Sequence, residues 1–147
     1  MAEYASNSRA GFDYEILETL EAGLALKGYE VKSIKTGKVS LRGSYVKIIN
    51  GEPTLIGATI SPYQAQNTPS DYDPQSSRKL LLSRKQIATL IGLSQAHGLT
   101  LIPLKLYDKR GLIKLLVGVA KGKKKYDKRE AIKKREFERR VLHGQEE

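Results

Sequence analysis

The chain has 147 residues, so we expect one domain with appendages. Its formal net charge of +10 and pI near 9.7 indicate an acidic partner, and nucleic acid is the class we expect first. It contains no cysteine and only two histidines, which excludes disulfides and thiolate metal sites and leaves almost nothing for a histidine site. No apolar run approaches membrane-spanning length and the N-terminus lacks a signal core, so we expect a cytoplasmic protein without a cofactor.

The first third of the chain predicts one mobile segment, one strand and one helix. Residues 1–11 are small and polar, which predicts a mobile N-terminus. Apolar and polar residues alternate from Tyr14 to Leu26, the pattern of a long half-buried strand, and Gly23 within it suggests a bulge or bend. Residues 28–35 place apolar side chains at helical spacing, and Gly37 can end that helix.

Two hairpins are predicted further along. Asn50-Gly51 separates the β-rich runs 44–49 and 54–56, and this dipeptide is a strong hairpin signal. Residues 108–111 join the runs 100–107 and 112–120 in the same way.

Between the hairpins, the sequence predicts a loop and then a helix. Residues 61–77 are rich in Pro, Ser, Gln and Asp, which is typical of a long surface loop. Ser83 and Gln86 have the spacing of a capping box at the start of a helix that Gly98 would stop.

The predicted elements give a mainly β protein with short helices, an α+β fold. Antiparallel strands with a bent first strand favour a small OB-like β-barrel with peripheral helices, a type that commonly binds nucleic acid. We therefore assign residues 12–122 to an OB-like RNA-binding barrel and residues 123–147 to a basic C-terminal tail.

Most of the excess charge lies in residues 121–140, where eleven basic and four acidic residues give +7. Such a segment suits a polyanion, because neutralised phosphates release condensed counterions, although a solvated basic tail is an equally simple interpretation. Asp127 and Glu130 have N-cap spacing, and the few apolar residues form no clean stripe. We predict a tail that is frayed when free and helical on nucleic acid.

The motifs of enzymes are missing from the sequence. The glycines at 118–122 lack the P-loop pattern, and two histidines near loops or ends support no catalytic triad. Glu18 and Glu21 are three positions apart and therefore fall on opposite faces of a strand. A carboxylate-dependent nuclease is therefore a weaker hypothesis than a nucleic-acid-binding protein. Tyr126 within the basic run could stack on a base or fold back on the barrel, whereas Tyr14, Tyr45 and Tyr107 are expected in the core.

Several ordered motifs resemble one known family. They are Asn7-Ser8-Arg9-Ala10, Asp13-Tyr14, the run from Glu21 to Leu26 (EAGLAL), the run from Glu30 to Val39 (EVKSIKTGKV), Arg78 to Leu82 (RKLLL), Gly118 to Lys124 (GVAKGKK) and Asp127-Lys128-Arg129. Together they cover nearly the whole chain and resemble the SmpB, or SsrA-binding, family.

The resemblance implies a six-stranded OB-like barrel without enzymatic activity. It implies binding to the tRNA-like domain of transfer-messenger RNA and delivery of that RNA to stalled bacterial ribosomes, with elongation factor Tu in the delivery complex and no membrane partner. It also implies that the tail meets the decoding centre and follows the empty mRNA channel, so that incomplete proteins are tagged for degradation. The open alternative is an OB-type ribosome-associated protein that binds any RNA equally.

The resemblance also assigns roles to individual positions. The implied RNA contacts are Asn7, Arg9, Glu21, Leu81, Lys114, Lys121, Lys123 and Lys124, although a buried core position is the simpler interpretation of Leu81. The implied ribosome contacts of the tail are Tyr126, Asp127, Lys128, Arg129, Lys133, Lys134, Arg135 and Phe137. Three positions depart from the family pattern: Phe12 stands for the usual histidine, Ser8 for a basic residue, and Phe137 for a tryptophan found in some members.

Overall fold

The computed structural model describes residues 2–8, 10–64, 68–95 and 98–122. In chain order the elements are β1 (Glu3–Ser6), α1 (Ala10–Asp13), β2 (Tyr14–Leu24), α2 (Gly28–Lys35), β3 (Val39–Ser40), β4 (Tyr45–Ile49), β5 (Glu52–Ile56), β6 (Thr59–Ile60), β7 (Arg78–Leu81), α3 (Arg84–Ser94), β8 (Leu99–Lys109) and β9 (Leu112–Gly122). No helix within these ranges is long and apolar enough to cross a membrane.

Six strands pair into a closed ring in the order β8, β4, β5, β7, β2, β9 and back to β8, and every pairing is antiparallel. The contact between β4 and β8 is narrow, with Val46 opposite Leu101 as its residue pair. β1 adds to β8 outside the ring, and β3 pairs with β6. The predicted antiparallel α+β fold is therefore confirmed, with a ring that closes at one narrow contact rather than a regular barrel.

Apolar side chains fill the inside of the ring. The largest fully buried ones include Leu55 on β5, Leu106 on β8, and Leu115 and Val117 on β9. Leu90 of α3 joins the same core, so this helix packs on the strands through an apolar stripe. Each fully buried aliphatic side chain contributes roughly 1.5–3 kcal/mol relative to an exposed one, which makes this core the main source of stability.

Both predicted hairpins are confirmed. Asn50 and Gly51 have φ of 51° and 78°, and Arg110 and Gly111 have φ of 53° and 83°. Two successive positive φ angles define the turn whose twist matches paired strands, and glycine adopts that region without a steric penalty. The second hairpin has longer strands than predicted, because β8 continues to Lys109 and the turn is reduced to two residues.

The two predicted helices are confirmed by their end contacts. Ser83 Oγ accepts from the Gln86 amide at 3.2 Å, and Gln86 Oε1 accepts from the Ser83 amide at 3.0 Å. This capping box satisfies amides that have no partner within the helix. α2 spans Gly28–Lys35 as predicted, and Gly37 follows it with φ of 81°. α3 ends at Ser94, four residues before the glycine expected to stop it.

Two local features differ from the predictions. The N-terminus, expected to be mobile, includes β1, whose backbone is fixed by bonds such as Asn7 N to Leu104 O at 2.8 Å. The β2 bulge lies between Ile16 and Glu18, whereas Gly23 marks the point where β2 pairs with both β7 and β9. A Cβ at Gly23 would meet Leu81 Cβ at 3.3 Å, so this glycine permits close approach of the strands.

Glu30, Tyr72 and Arg78 form a hydrogen-bonded group that we call the buried triad. Arg78 is 3% exposed, and its Nη2 and Nε lie 2.7 and 3.1 Å from Glu30 Oε2. The Tyr72 hydroxyl lies 3.1 Å from the same oxygen and 2.8 Å from the Ile60 carbonyl. The triad therefore ties the predicted surface loop at 61–77 to α2 and β7.

Burial and hydrogen bonding act in opposite directions on the Glu30 carboxyl. Burial raises the pKa of Glu30, but the Lys27 amide and the Arg78 guanidinium donate to its oxygens and together hold the pKa below its ordinary value. Burial and the neighbouring Glu30 charge raise the pKa of Tyr72 to about 12. The triad is thus an ionised Glu–Arg pair with a neutral phenol at neutral pH.

Candidate nucleic-acid interface

Four strands place one residue each in a row across the outer face of the ring. Leu81 of β7 lies opposite Gly23 of β2, which lies opposite Lys114 of β9, which lies opposite Tyr107 of β8. Residues in register on neighbouring strands share a face of the sheet. Glu21 precedes Gly23 by two positions, so it belongs to the same outer face. The sheet therefore brings together three of the predicted RNA contacts: Glu21, Leu81 and Lys114.

Glu21, Tyr107 and Lys109 form a second hydrogen-bonded group, which we call the surface triad. The Tyr107 hydroxyl donates to Glu21 Oε2. Lys109 Nζ lies 3.1 Å from Glu21 Oε1 and 3.3 Å from Oε2. The Glu21 side chain is nevertheless 33% exposed, so the carboxylate is held in place and still faces solvent.

The surface triad fixes the charge of Glu21. The hydrogen bond from Tyr107 lowers the pKa of Glu21, and the hydrogen bond and charge of Lys109 lower it further. Burial and the hydrogen bond to Glu21 raise the pKa of Tyr107 to about 12. At neutral pH the outer face therefore presents an acceptor-only carboxylate beside a neutral phenol.

Lysine side chains lie close to the Glu21 carboxylate. Lys114 is half-buried on β9, and Lys105, which shares the outer face of β8, places Nζ 5.5 Å from the centre of the Tyr107 ring. Together with Lys109, three lysines lie on the strands that flank or carry the surface triad. An ammonium cluster of this kind binds phosphates, because each contact displaces a condensed counterion.

Leu81 lies at the edge of the same face and is 57% exposed. The alternative interpretation of Leu81 as a core residue is wrong, because the alternation along β7 points Leu80 inward and Leu81 outward. An exposed leucine beside a glycine offers an apolar surface for a base or a ribose.

Asn7 lies apart from this face, at the end of β1. Its Nδ2 donates to the Pro103 carbonyl at 3.1 Å, and its amide donates to the Leu104 carbonyl at 2.8 Å. Leu104 is the extra residue at the irregularity of β8, and its side chain packs over Gly118. In this structure, the Asn7 amide therefore fastens β1 to β8, and its role in RNA binding stays a prediction.

Lys121 is exposed at the far end of β9, opposite Glu15 of β2. It lies seven positions from Lys114, a distance of about 23 Å along a strand. The structure therefore does not bring Lys121 into the surface around Glu21. The remaining predicted contacts, Arg9, Lys123, Lys124 and the tail residues from Tyr126 to Phe137, lie outside the described residues.

Three tyrosines expected in the core have different environments. Tyr45 is 45% exposed on β4, so the expectation is wrong there. Tyr14 is half-buried against the small outer cluster that includes Ala10 and Ala120. Tyr107 is buried at its ring, as expected, but its hydroxyl reaches Glu21.

Sequence reasoning missed Lys105, Tyr107 and Lys109 as parts of the site. The alternation of β8 puts these three residues on one face, which is the signal that could have found them. The contacts of that face with Glu21, however, join residues that are far apart in the sequence: Tyr107 and Lys109 are 86 and 88 positions from Glu21.

Comparison with known proteins identifies the family. A family model described as SmpB protein matches residues 4–146. The SsrA-binding protein of Anoxybacillus flavithermus is 54% identical over 137 residues, covering 93% of this chain and 88% of the relative. The SsrA-binding protein of Bacillus pumilus is 51% identical over 137 residues, covering 93% of this chain and 87% of the relative.

A solved structure agrees with these relatives. It is described as "tmRNA-SmpB: a journey to the center of the bacterial ribosome", is 46% identical, and superimposes with a TM-score of 0.66, covering 86% of this chain and 92% of that one. The family match, the identities near one half and the shared fold lead to one conclusion: the chain belongs to the SmpB family.

Proposed function

We propose that this protein is an RNA-binding adaptor of trans-translation rather than an enzyme. It binds the tRNA-like domain of transfer-messenger RNA and brings that RNA to stalled ribosomes in the cytoplasm, where incomplete proteins are tagged for degradation. The observation that carries this proposal is membership of the SmpB family. The chain matches relatives named SsrA-binding protein over most of their length.

The outer face around the surface triad is the proposed contact with the tRNA-like domain. Lys114 and its neighbouring lysines supply phosphate contacts, which position RNA without reading its sequence. Glu21 supplies an acceptor that phosphates would repel but base donors would satisfy. The exposed Leu81 adds an apolar contact on the same face. Together these groups suit a folded RNA with accessible bases better than a uniform polyanion.

The tail from Tyr126 onward is proposed to act on the ribosome rather than on transfer-messenger RNA. Its charge suits the phosphates that line the decoding centre and the empty mRNA channel of the small subunit. Tyr126 is a stacking candidate at the decoding centre, followed by Asp127, Lys128 and Arg129. Elongation factor Tu belongs to the proposed delivery complex.

A binding titration tests the first half of this proposal. The protein is titrated with the tRNA-like domain and with an unrelated structured RNA of equal length, each at two salt concentrations. We expect a preference for the tRNA-like domain that survives the higher salt, because base contacts and shape add to counterion release. Equal binding that collapses with salt would instead support the non-specific RNA-binding alternative.

A truncation tests the second half. Deletion of residues 127–147 is expected to leave affinity for the tRNA-like domain within about twofold at moderate salt, while tagging on stalled ribosomes is lost. Lys114→Ala in the full chain is the matched comparison, with weaker RNA binding expected. Loss of RNA binding by the truncated chain, with normal tagging by any complex that forms, would contradict this division of roles.

A further inference from the structure

We propose that Tyr107 is a positioning residue for RNA recognition: it holds the Glu21 carboxylate in the orientation that accepts hydrogen bonds from the donor edge of a base in the tRNA-like domain. This inference rests on the proposed function and adds a residue to its binding surface. It gives a role to a tyrosine that the sequence assigned to the core.

The path from Tyr107 to Glu21 crosses a whole strand. Tyr107 lies on β8 and Glu21 on β2, with β9 between them. The backbones of β8 and β2 are therefore two strand spacings apart, or about 9.6 Å. Tyrosine and glutamate side chains meet across that distance only when both extend toward each other. The hydrogen bond between them therefore selects one extended arrangement of the Glu21 side chain.

The Tyr107 ring is fixed before any ligand arrives. The residue is 6% exposed on the outer face, so packing holds its ring while its hydroxyl bonds Glu21. Lys105 Nζ lies 5.5 Å from the ring centre, and Lys109 Nζ lies 3.1 Å from Glu21 Oε1. Tyr107 and Lys109 therefore hold the carboxylate together. A preorganised acceptor loses less rotamer freedom on binding than a mobile glutamate would.

The chemistry of the face indicates what the carboxylate contacts. An ionised carboxylate accepts hydrogen bonds and donates none, so it cannot bind a phosphate. The amino and ring N–H groups on the edges of unpaired bases are suitable donors. The Glu21 side chain is one-third exposed, so the carboxylate can accept further hydrogen bonds after those within the surface triad are made. The three lysines are then left for the flanking phosphates.

A double-mutant cycle tests this role. Wild type, Tyr107→Phe, Glu21→Gln and the double variant are titrated with an in vitro transcribed tRNA-like domain over a series of salt concentrations. We expect Tyr107→Phe to weaken binding by about tenfold, since a charge-assisted hydrogen bond is lost. It should cause no further loss in the Glu21→Gln background, because the two residues act as one unit. The slope of log K against log salt should stay unchanged, since no phosphate contact is removed.

Two further variants strengthen the test. Tyr45→Phe removes an exposed hydroxyl elsewhere on the ring and should bind like wild type. Glu21→Asp keeps the charge but shortens the side chain, so it should bind as weakly as Glu21→Gln and become insensitive to Tyr107→Phe. This arm also gives an answer if Tyr107→Phe folds poorly in a thermal unfolding control.

The inference is overturned if Tyr107→Phe binds with wild-type affinity, if its loss adds fully to that of Glu21→Gln, or if Glu21→Gln itself binds normally. Failure of the proposed function has a different signature. In that case, the wild-type protein shows no preference for the tRNA-like domain over an unrelated RNA of equal length, whatever the variants do.

Discussion

The buried triad and the surface triad contain the same chemical groups in opposite settings. Each joins a glutamate, a tyrosine hydroxyl and a basic side chain. The buried triad uses arginine, whose planar fork makes two bonds to Glu30 and one to the Ala58 carbonyl. The surface triad uses lysine, a single ammonium on a flexible stem, and leaves Glu21 one-third exposed.

The buried triad and the surface triad differ in how far their polar atoms are closed off from solvent, and this difference separates a structural group from a binding group. Every buried side-chain nitrogen and oxygen within the described ranges has a hydrogen-bond partner, and the Arg78 and Glu30 side chains of the buried triad are closed off from solvent. The surface triad fixes its carboxylate with two partners and leaves the remaining acceptor capacity in solvent. Four changes test whether burial, rather than composition, makes this difference.

The largest expected effect is the loss of Arg78. Arg78→Met removes the cation that neutralises Glu30 in the interior, and an uncompensated buried charge should lower the free energy of unfolding by about 3–5 kcal/mol. Urea titration measures the loss. Lys79→Met is the matched control, because the Lys79–Glu52 pair at 2.8 Å is exposed and should contribute under about 1 kcal/mol. Equal losses in the two variants would contradict the distinction.

Removal of the two phenol hydroxyls gives the next effect. Tyr72→Phe takes a hydrogen-bond partner from Glu30 and from the Ile60 carbonyl, and we expect a loss of about 1–2 kcal/mol. Tyr107→Phe should cost less stability, since water can replace the hydroxyl beside Glu21. Thermal unfolding of both variants gives the order, and a larger loss for Tyr107→Phe would reverse our interpretation.

Acid sensitivity should belong to the buried triad. The pKa of Glu30 is lower in the folded protein than in the unfolded chain, so its contribution is complete above the ordinary value of 4.5 and is lost as the pH falls through the folded pKa. We expect Glu30→Gln to be less stable at pH 7 and to show a shallower decline between pH 5 and pH 3. Urea titrations at several pH values measure that slope. An unchanged slope would mean that other carboxyls control acid unfolding.

The smallest expected effect on stability comes from Glu21→Gln. The side chain is one-third exposed and water can replace its lost hydrogen bonds, so the urea midpoint should stay within error of wild type while RNA binding weakens. A clear drop in the midpoint would place Glu21 among the structural groups. The pair Glu30→Gln and Glu21→Gln therefore compares the same substitution in the two settings.

Sequence patterns predicted the parts of the fold that depend on neighbouring residues. Asn50-Gly51 fixes its hairpin through backbone preference, and Ser83 with Gln86 begins its helix through contacts three residues apart. The candidate site was predicted only in part. Glu21, Leu81 and Lys114 came from a family resemblance, and the register of the sheet then placed them on one face.

Features that depend on distant pairing were not predicted. Glu30 and Arg78 are 48 positions apart, and Tyr72 lies in a stretch whose composition indicates only a surface loop. The same limit hid Tyr107, because alternation along β8 says which residues share a face but not which strand crosses it. The N-terminal strand was missed because its backbone pairs with the distant β8 and its Tyr4 and Ala5 pack against the core, and the composition of residues 1–11 indicates neither contact.

The position of β1 has a consequence for handling this protein. Residues 3–6 cover part of the length of β8 that β4 does not reach, and the Ala2 carbonyl extends the cover to the amide of Asp108 at 2.7 Å. An uncovered strand edge is a template for another chain. Variants shortened to begin after Ser6 should therefore self-associate in a concentration-dependent way even if their core is intact. An N-terminal tag that pulls this strand away should have the same effect.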